Sequence, residues 1–254
     1  MKTHHHIAAL AALFFTVLAH AQPASPLDTA RAALKTNNLA EAETLLVPLT
    51  GPTATDAAAF FTLGQVRERQ RRLKESVAAY EQATKLDATK SEYFSALGAV
   101  LGQHMGEISF IQQAFLAGKL KRAFEKSVEL DPRNISGLIG LARYYTNAPE
   151  IAGGSLAKAQ ALALRLQEVV PFLGEIEQGN IASHDERYVD ALAHYEAAAK
   201  MNPTSADAKN QCGRMLLKLK RPDEARACFA TALQLDPNLE AAKKSLAALD
   251  TEEK

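Results

Sequence analysis

The chain has 254 residues with an ordinary share of apolar side chains, and its 29 basic residues balance its 29 acidic ones. A formal charge of zero argues against proteins that bind nucleic acid or anionic membranes through a general basic surface. Tryptophan is absent and alanine is used heavily, which favours closely packed helices.

Residues 1–21 predict a cleavable secretory signal peptide. Lys2 supplies a basic start, Ile7 to Leu18 form an apolar run, and an A-x-A site places the cleavage after Ala21. The run is short for a membrane span, and no cysteine follows the cleavage site as in a lipoprotein. We therefore expect a periplasmic or secreted protein with no stable membrane insertion.

A similar pattern of small and aromatic residues recurs along the chain, at a period of about 34 residues. Each clear unit has a small residue, then an aromatic four residues later, then an alanine after three more. The members of these units are Ser76, Tyr80 and Ala83; Ala191, Tyr195 and Ala198; Ala225, Phe229 and Ala232. An upstream glycine accompanies each unit, at Gly64, Gly179 or Gly213.

This pattern resembles the tetratricopeptide repeat over nearly everything after the first twenty or so residues. The resemblance implies an all-α fold, a right-handed superhelical solenoid of antiparallel helix pairs. A pair of this kind cannot bury its apolar face alone, so neighbouring pairs must stack. The predicted repeats are 23–56, 57–90, 91–134, 135–171, 172–205 and 206–239. Residues 240–254 are expected to form a capping helix and a tail.

The third repeat carries an insertion between its two helices, at residues 105–116. Helical spacing places Ile108, Ile111 and Phe115 on one face, which we expect to continue to Phe124. The second helix of this repeat is therefore predicted to be overlong and to project beyond the array. These apolar residues either pack on the neighbouring turn or form a surface for self-association.

The fourth repeat carries a longer connecting loop, residues 148–154. Ser155 is a natural N-cap for the helix that follows. The Gly153-Gly154 pair either turns the chain, because glycine tolerates positive φ, or cradles an anion on free backbone N–H groups.

Few residues suggest chemistry. Cys212 and Cys228 lie on the two helices of the sixth repeat at a similar height, so they form either a disulfide or two buried thiols. His104, His184 and His194 accompany no metal-binding motif, and no phosphate-binding loop or nucleophile motif is present. We expect no metal, no cofactor and no enzymatic activity.

The resemblance also implies that partners bind along the first helices, on the concave side. The outward residues predicted to bind a partner are Phe61, Gln65, Arg69, Arg143, Asn147, Asn180, His184, Asn210 and Arg214. Their amide and guanidinium groups suit an acidic or carboxyl-terminal segment. The Lys/Asn clamp that some members of the family use on chaperone tails is not matched. The pairs in its place are Phe61/Gln65, Ile176/Asn180 and Asn210/Arg214.

We therefore expect a non-enzymatic adaptor of the bacterial cell envelope that binds a protein or peptide segment on its concave face. One alternative is a transport-accessory or small-ligand protein with a closed cavity of apolar and arginine residues near Arg143 and the insertion. A second alternative is a self-assembling component, a homo-oligomer joined through Ile108, Ile111 and Phe115.

Overall fold

The computed structural model describes residues 24–252, except the side chains of Phe110, Ile111 and Glu252. Over this range the chain forms thirteen α-helices and two short 3-10 helices, with no strand. The α-helices are α1 (Pro26–Lys35), α2 (Leu39–Leu46), α3 (Ala57–Arg69), α4 (Leu73–Leu86), α5 (Ser91–Met105), α6 (Phe110–Leu130), α7 (Ile135–Asn147), α8 (Leu156–Val169), α9 (Pro171–His184), α10 (Tyr188–Met201), α11 (Ala206–Lys218), α12 (Pro222–Leu235) and α13 (Glu240–Glu252). The predicted signal peptide, with its cleavage after Ala21, lies outside the described residues.

The helices form antiparallel pairs that stack in chain order. Each α-helix packs on the next one along the chain, both within a pair and between pairs. Six pairs, α1/α2 to α11/α12, are closed by α13. The predicted all-α solenoid is therefore confirmed. Between residues 24 and 252, no helix combines the length and apolar character that crossing a membrane requires.

Several helices begin at a side chain that accepts a hydrogen bond from the first helical turn, where backbone N–H groups lack partners within the helix. Asp56 Oδ1, for example, accepts from the N–H groups of Ala58 and Ala59 at 2.9 and 3.2 Å. The predicted N-cap at Ser155 is confirmed, because its hydroxyl accepts from the N–H of Lys158 at 3.4 Å.

Four of the turns inside helix pairs share one backbone conformation. Each contains a residue other than glycine with positive φ, namely Asn37 (60°), Arg71 (61°), Glu186 (58°) and Lys220 (59°). The left-handed region costs an L-residue roughly 1–2 kcal/mol. The third and fourth pairs lack this turn and have longer connections.

The core divides into three apolar clusters along the array. The first lies between α1 and α4, the second between α4 and α9, and the third between α9 and α13. The last helix packs on the third cluster, where Leu249 is buried and Leu246 is half-buried.

A glycine on the first helix faces an aromatic ring on the second in four of the pairs. A Cβ on any of these glycines would lie less than 3.0 Å from a ring carbon. The contacts are Gly64 with Tyr80, Gly98 with Phe124, Gly179 with Tyr195, and Gly213 with Phe229. This close approach explains the glycine and the aromatic residue of the repeat pattern together, since either one alone would leave a void or a clash.

The second helix of the third pair is overlong, as predicted, with 21 residues in α6 against 14 in α4. The predicted apolar face is wrong, however. Ile108 precedes the N-cap Ser109 and is half-buried outside the helix. Phe115 is 81% exposed whereas Phe124 is 5% exposed, because nine residues of α-helix place two side chains half a turn apart. The side chain of Ile111 lies outside the described residues.

Candidate functional site

The first helices of successive pairs lie next to one another. Contacts join α1 to α3, α5 to α7, α7 to α9 and α11 to α13. In the described part of the chain, no two second helices pack together to the same degree. An array of this kind curves with its first helices on the inner side, so this side forms a continuous surface, here called the first-helix face.

Five of the residues predicted to bind a partner surround one cavity of about 260 Å³ on this face. These five are Arg143, Asn147, Asn180, His184 and Arg214. They come from α7, α9 and α11, so three successive repeats contribute to a single cavity, here called the polar cleft. The rest of its lining is Thr146, Glu177, Ser183, Tyr195 and Gln211.

Arg143 is held in the polar cleft by an ion pair. Its Nε and Nη2 atoms donate to Glu177 Oε1 at 3.0 and 2.6 Å. The Glu177 side chain is only 3% exposed, whereas the Arg143 side chain is 56% exposed. Three of the five guanidinium N–H groups are not engaged by Glu177. Arg143 can therefore compensate a buried carboxylate and still donate to a ligand.

The other polar groups of the cleft are also oriented by neighbours. The Tyr195 hydroxyl donates to Asn180 Oδ1 at 2.8 Å, and burial raises the pKa of Tyr195 far above its usual value, so it stays protonated. Arg214 Nη1 donates to Gln211 Oε1 at 2.9 Å. This contact leaves most donors of Arg214 for a ligand. Two guanidinium groups against one carboxylate make the cleft suited to an anion or a carbonyl group.

Four of the residues predicted to bind a partner lie elsewhere. Phe61 is half-buried and stacks on Tyr93, with ring centroids 4.5 Å apart, so it joins two repeats. Arg69 Nη1 donates to the carbonyl oxygen of Leu34 at 2.6 Å. The remaining two are Gln65 and Asn210, and neither lines the polar cleft.

The prediction for Asn210 as an outward residue is wrong. The residue is 3% exposed, and its Oδ1 atom is buried without a hydrogen-bond partner from the described protein atoms. Asn210 lies three residues before Gly213, on the side of α11 that meets the Phe229 ring of α12. Gln65 is half-buried on α3.

A second, larger cavity lies near Arg143 and the insertion, where the small-ligand alternative expected a cavity of apolar and arginine residues, but it is open instead of closed. It has a volume of about 800 Å³, opens to solvent along one side, and lies between α5, α6, α7 and the 148–154 loop. We call it the apolar groove. Its lining is Gly98, Ala99, Gly102, Met105, Gln113, Ala114, Ala117, Leu120, Phe124, Ser136, Ile139, Gly140, Arg143, Tyr144, Asn147, Ala148, Pro149 and Ala152. Arg143 and Asn147 line both cavities, so the groove and the cleft are adjacent.

The floor of the apolar groove is the ring of Phe124. A Cβ on either Gly98 of α5 or Gly140 of α7 would lie less than 3.0 Å from this ring. The ring is therefore fixed between two helix backbones. The sequence does carry a signal for the groove, because small residues recur every three or four positions on all three helices beside the insertion.

The loop of residues 148–154 forms one wall of the groove. The Tyr144 hydroxyl donates to the carbonyl oxygen of Ala152 at 2.6 Å. The N–H groups of Gly153 and Gly154 donate to the carbonyl oxygens of Glu150 and Pro149 at 2.8 and 3.0 Å. These donors are occupied, so the anion-cradle alternative for the glycine pair is wrong. Gly153 has φ of 89° and turns the chain.

The two cysteines are free thiols. Cys212 is 3% exposed, and burial raises its pKa to about 12, while Cys228 is half-buried. The Nδ1 atom of His194 lies 2.7 Å from Glu175 Oε2. Within residues 24–252, no three His, Cys, Asp or Glu side chains converge as ligands for a metal ion.

Comparison with known proteins gives a consistent family. The sequence matches the family described as tetratricopeptide repeat over residues 27–91 and again over residues 182–249. The peroxisomal targeting signal receptor of Yarrowia lipolytica is 28% identical over 190 residues, which is 70% of this chain. The match spans only 29% of the length of that receptor.

Solved structures with the same fold include a thermophilic TPR protein from Thermus thermophilus, at a TM-score of 0.63 and 18% identity, with 76% of this chain and 98% of that one covered. The pilF protein of Pseudomonas aeruginosa has a TM-score of 0.63 and 14% identity over 88% of this chain and 96% of its own. A tetratricopeptide repeat protein from Parabacteroides merdae has a TM-score of 0.65 and 14% identity, with coverage of 88% and 82%. Likeness at such identities shows the fold alone.

Proposed function

Because this chain is a tetratricopeptide repeat protein, we propose that it is a non-enzymatic scaffold that holds a segment of another protein on its first-helix face. The observation that carries the proposal is the polar cleft, in which donors from three successive first helices meet. A segment that crosses three repeats can be bound by donors that lie further apart than those of a single repeat.

The chemistry of the cleft favours an acidic or carboxyl-terminal segment. Arg143, Asn180 and Arg214 present directed donors, and His184 lies at the exposed end of α9 beside them. Carboxylates accept paired N–H groups from guanidinium with good geometry. The name of the Yarrowia relative, a receptor for a targeting signal, is compatible with capture of a peptide.

We further propose that the scaffold works outside the cytoplasm, in the bacterial envelope. The support is the sequence of the leader, with its basic start, its short apolar run and the A-x-A site that ends at Ala21. The mass of the protein recovered from cells tests this proposal, because cleavage leaves a chain that begins at Gln22.

The scaffold proposal is tested by a photocrosslinking amino acid placed at His184, beside the cleft, in the full-length protein in its native host. Lys200, which is exposed on α10, serves as the matched control position. We expect one discrete adduct from position 184 and none from position 200. Adding Arg214→Ala should reduce this adduct about tenfold, since a charge-assisted hydrogen bond contributes about 1.5–3 kcal/mol.

Equal adducts from both positions would show that the cleft is not the binding site. An adduct at position 184 that persists unchanged in Arg214→Ala would keep the location but remove the role of the arginine. No adduct at either position would contradict the scaffold proposal for this face.

A further inference from the structure

The apolar groove has the length of a short helix. Its lining runs along α7 from Ser136 to Asn147 and along α6 from Gln113 to Phe124. Eleven steps of helical rise amount to about 17 Å, which is about three turns. A volume of about 800 Å³ lies within the range of ligand sites, about 300–1,000 Å³, and is larger than one side chain fills.

The walls of the groove allow a close approach by another backbone. Gly102 of α5 and Ser136 of α7 line the groove, whereas the space beside Gly98 and Gly140 is filled by the Phe124 ring. Ala114 is on the facing wall, α6. These small residues on three walls leave a channel whose floor is the Phe124 ring. The channel can receive bulky side chains spaced every three or four residues from an incoming helix.

Two exposed, large apolar side chains are the sequence neighbours of residues that line the groove. Phe115, next to the lining residue Ala114, is 81% exposed, and Ile151, next to the lining residue Ala152, is 98% exposed. A chain as narrow as an acyl group would fill the groove and leave both uncovered. A helix, about 10 Å across, reaches further toward them.

The charge of the site lies at the end shared with the polar cleft. Arg143 is the charged residue of the groove lining, and its side chain is 56% exposed. It lies where the groove meets the cleft, with three N–H groups not engaged by Glu177. An acidic residue of the occupant would find its partner there.

We propose that the apolar groove docks one amphipathic helix of the protein partner, about three turns long, with bulky aliphatic residues inward and an acidic residue beside Arg143. This inference rests on the proposed scaffold function and specifies the conformation and chemistry of the segment that is bound. The polar cleft then holds the chain that continues from the helix.

The experiment selects peptides against the full-length purified protein from two displayed libraries. Both libraries randomise the same positions, at i, i+3, i+4 and i+7 of peptides of about eleven residues, among aliphatic, aromatic and acidic residues. One has an alanine-rich helical frame, and the other carries prolines that prevent a helix. We expect enrichment from the helical library only, with Asp or Glu at one end.

A matched pair of variants locates the binding. Gly102→Leu places a side chain in the groove, and its Cβ would contact Leu120 Cδ1 at an ordinary 3.5 Å. Gly118→Leu makes the same change on α6 outside the groove lining, with its Cβ 3.4 Å from Arg122 Nη1. Both changes raise helix propensity, so both proteins should fold. We expect Gly102→Leu to weaken the selected peptide at least about tenfold and Gly118→Leu to leave it unchanged.

A third variant tests the acidic anchor. The double change Arg143→Met with Glu177→Met removes the charge and leaves no unpaired buried carboxylate. Peptides selected with this double variant as the target should lose the preference for Asp or Glu and keep the aliphatic pattern.

The other outcomes overturn the inference in distinguishable ways. Enrichment from the proline library would show that the bound segment is extended. Binding that Gly102→Leu does not affect would show that the peptide binds outside the groove. The scaffold proposal would stand in both cases. Palmitate binding that Gly102→Leu abolishes, with no peptide from either library, would make the groove a site for small amphiphiles. No binding by peptide or palmitate would reject the groove as a docking site, and the crosslinking at His184 would still test the scaffold separately.

Discussion

Glu177 is a buried carboxylate that accepts hydrogen bonds from Arg143, the central residue of the candidate site. It accepts both of its guanidinium hydrogen bonds from Arg143 through one oxygen, Oε1. Burial of an ionised carboxylate is unfavourable unless a donor compensates it. A substitution of Arg143 made to test binding therefore also changes the stability of the fold.

We expect Arg143→Met to lower the free energy of unfolding by about 1–3 kcal/mol, because it leaves the Glu177 carboxylate without these donors. The double variant with Glu177→Met should recover most of this loss, because an apolar pair of similar volume needs no donor. Urea unfolding followed by circular dichroism measures both. If the double variant is no more stable than the single one, the loss in Arg143→Met does not come from the lost hydrogen bonds to Glu177.

The residue pattern predicted the angle of a side chain around its helix axis better than whether a neighbouring helix buries that side chain. Asn210 and Arg214 lie one turn apart and share a face, yet Asn210 is 3% exposed while Arg214 lines the cleft. Periodicity gives the angle of a side chain around the helix axis. Whether a neighbouring helix covers that side chain depends on how the helices cross, and a single sequence does not specify the crossing.

At the scale of elements, the contact between glycine and an aromatic ring is the unit from which the pairs are built. The fourth pair replaces it with Ala142 and Ala163, both buried. Its neighbour Gly140 instead gives room to Phe124 of the preceding pair. The ring of Phe124 thus packs against glycine on two helices. A methyl group added on one side would clash with the ring, and the other helix prevents the ring from moving away.

We expect Gly140→Ala to lower the free energy of unfolding by about 1–3 kcal/mol, since overpacking outweighs the gain in helix propensity. Gly102→Ala is the matched control on the same groove. Its Cβ would make only an ordinary contact, so it should raise stability by roughly 0.5–1 kcal/mol. Urea unfolding of the two variants measures the difference. Stabilisation by Gly140→Ala would mean that α7 is not tightly packed on Phe124.

The lengths of the helices could be predicted where the repeat keeps its phase, and the third repeat shows the limit. The insertion predicted that α6 is overlong, and it has 21 residues. Its inward face was misassigned because Phe115 and Phe124 are separated by two and a half turns, a spacing that reverses the face. The small-ligand alternative placed a cavity near Arg143 and the insertion, but the sequence did not identify its other lining residues, since glycine and alanine mark both close packing and open space.

At the scale of the whole molecule, three apolar clusters follow one another along the array, so stability is the sum of local contributions. The middle cluster extends from α4 to α9 and has neighbours on both sides. The ends lack one neighbour. The repeat pattern predicted this architecture because stacking follows from the period alone, whereas the partner depends on a few surface side chains.

Hydrogen exchange measured by mass spectrometry should therefore give a gradient along the chain. We expect the amides of α5, α7 and α8 to exchange most slowly, and those of α1, α2 and α13 to exchange fastest, because end units open with the loss of one interface. Uniform protection across all helices would instead indicate that the array unfolds as one cooperative body.

Arg143 and Asn147 line both cavities, and the shared guanidinium of Arg143 creates a thermodynamic link between them. A ligand that draws the guanidinium toward the groove changes what the cleft can offer, and a ligand in the cleft changes the groove by the same factor. A partner that carries both a groove-binding and a cleft-binding sequence would gain affinity from this linkage. Two separate ligands would instead change each other's affinity through the shared Arg143 guanidinium. Reciprocal affinity would thus be built into the scaffold without any movement of its helices.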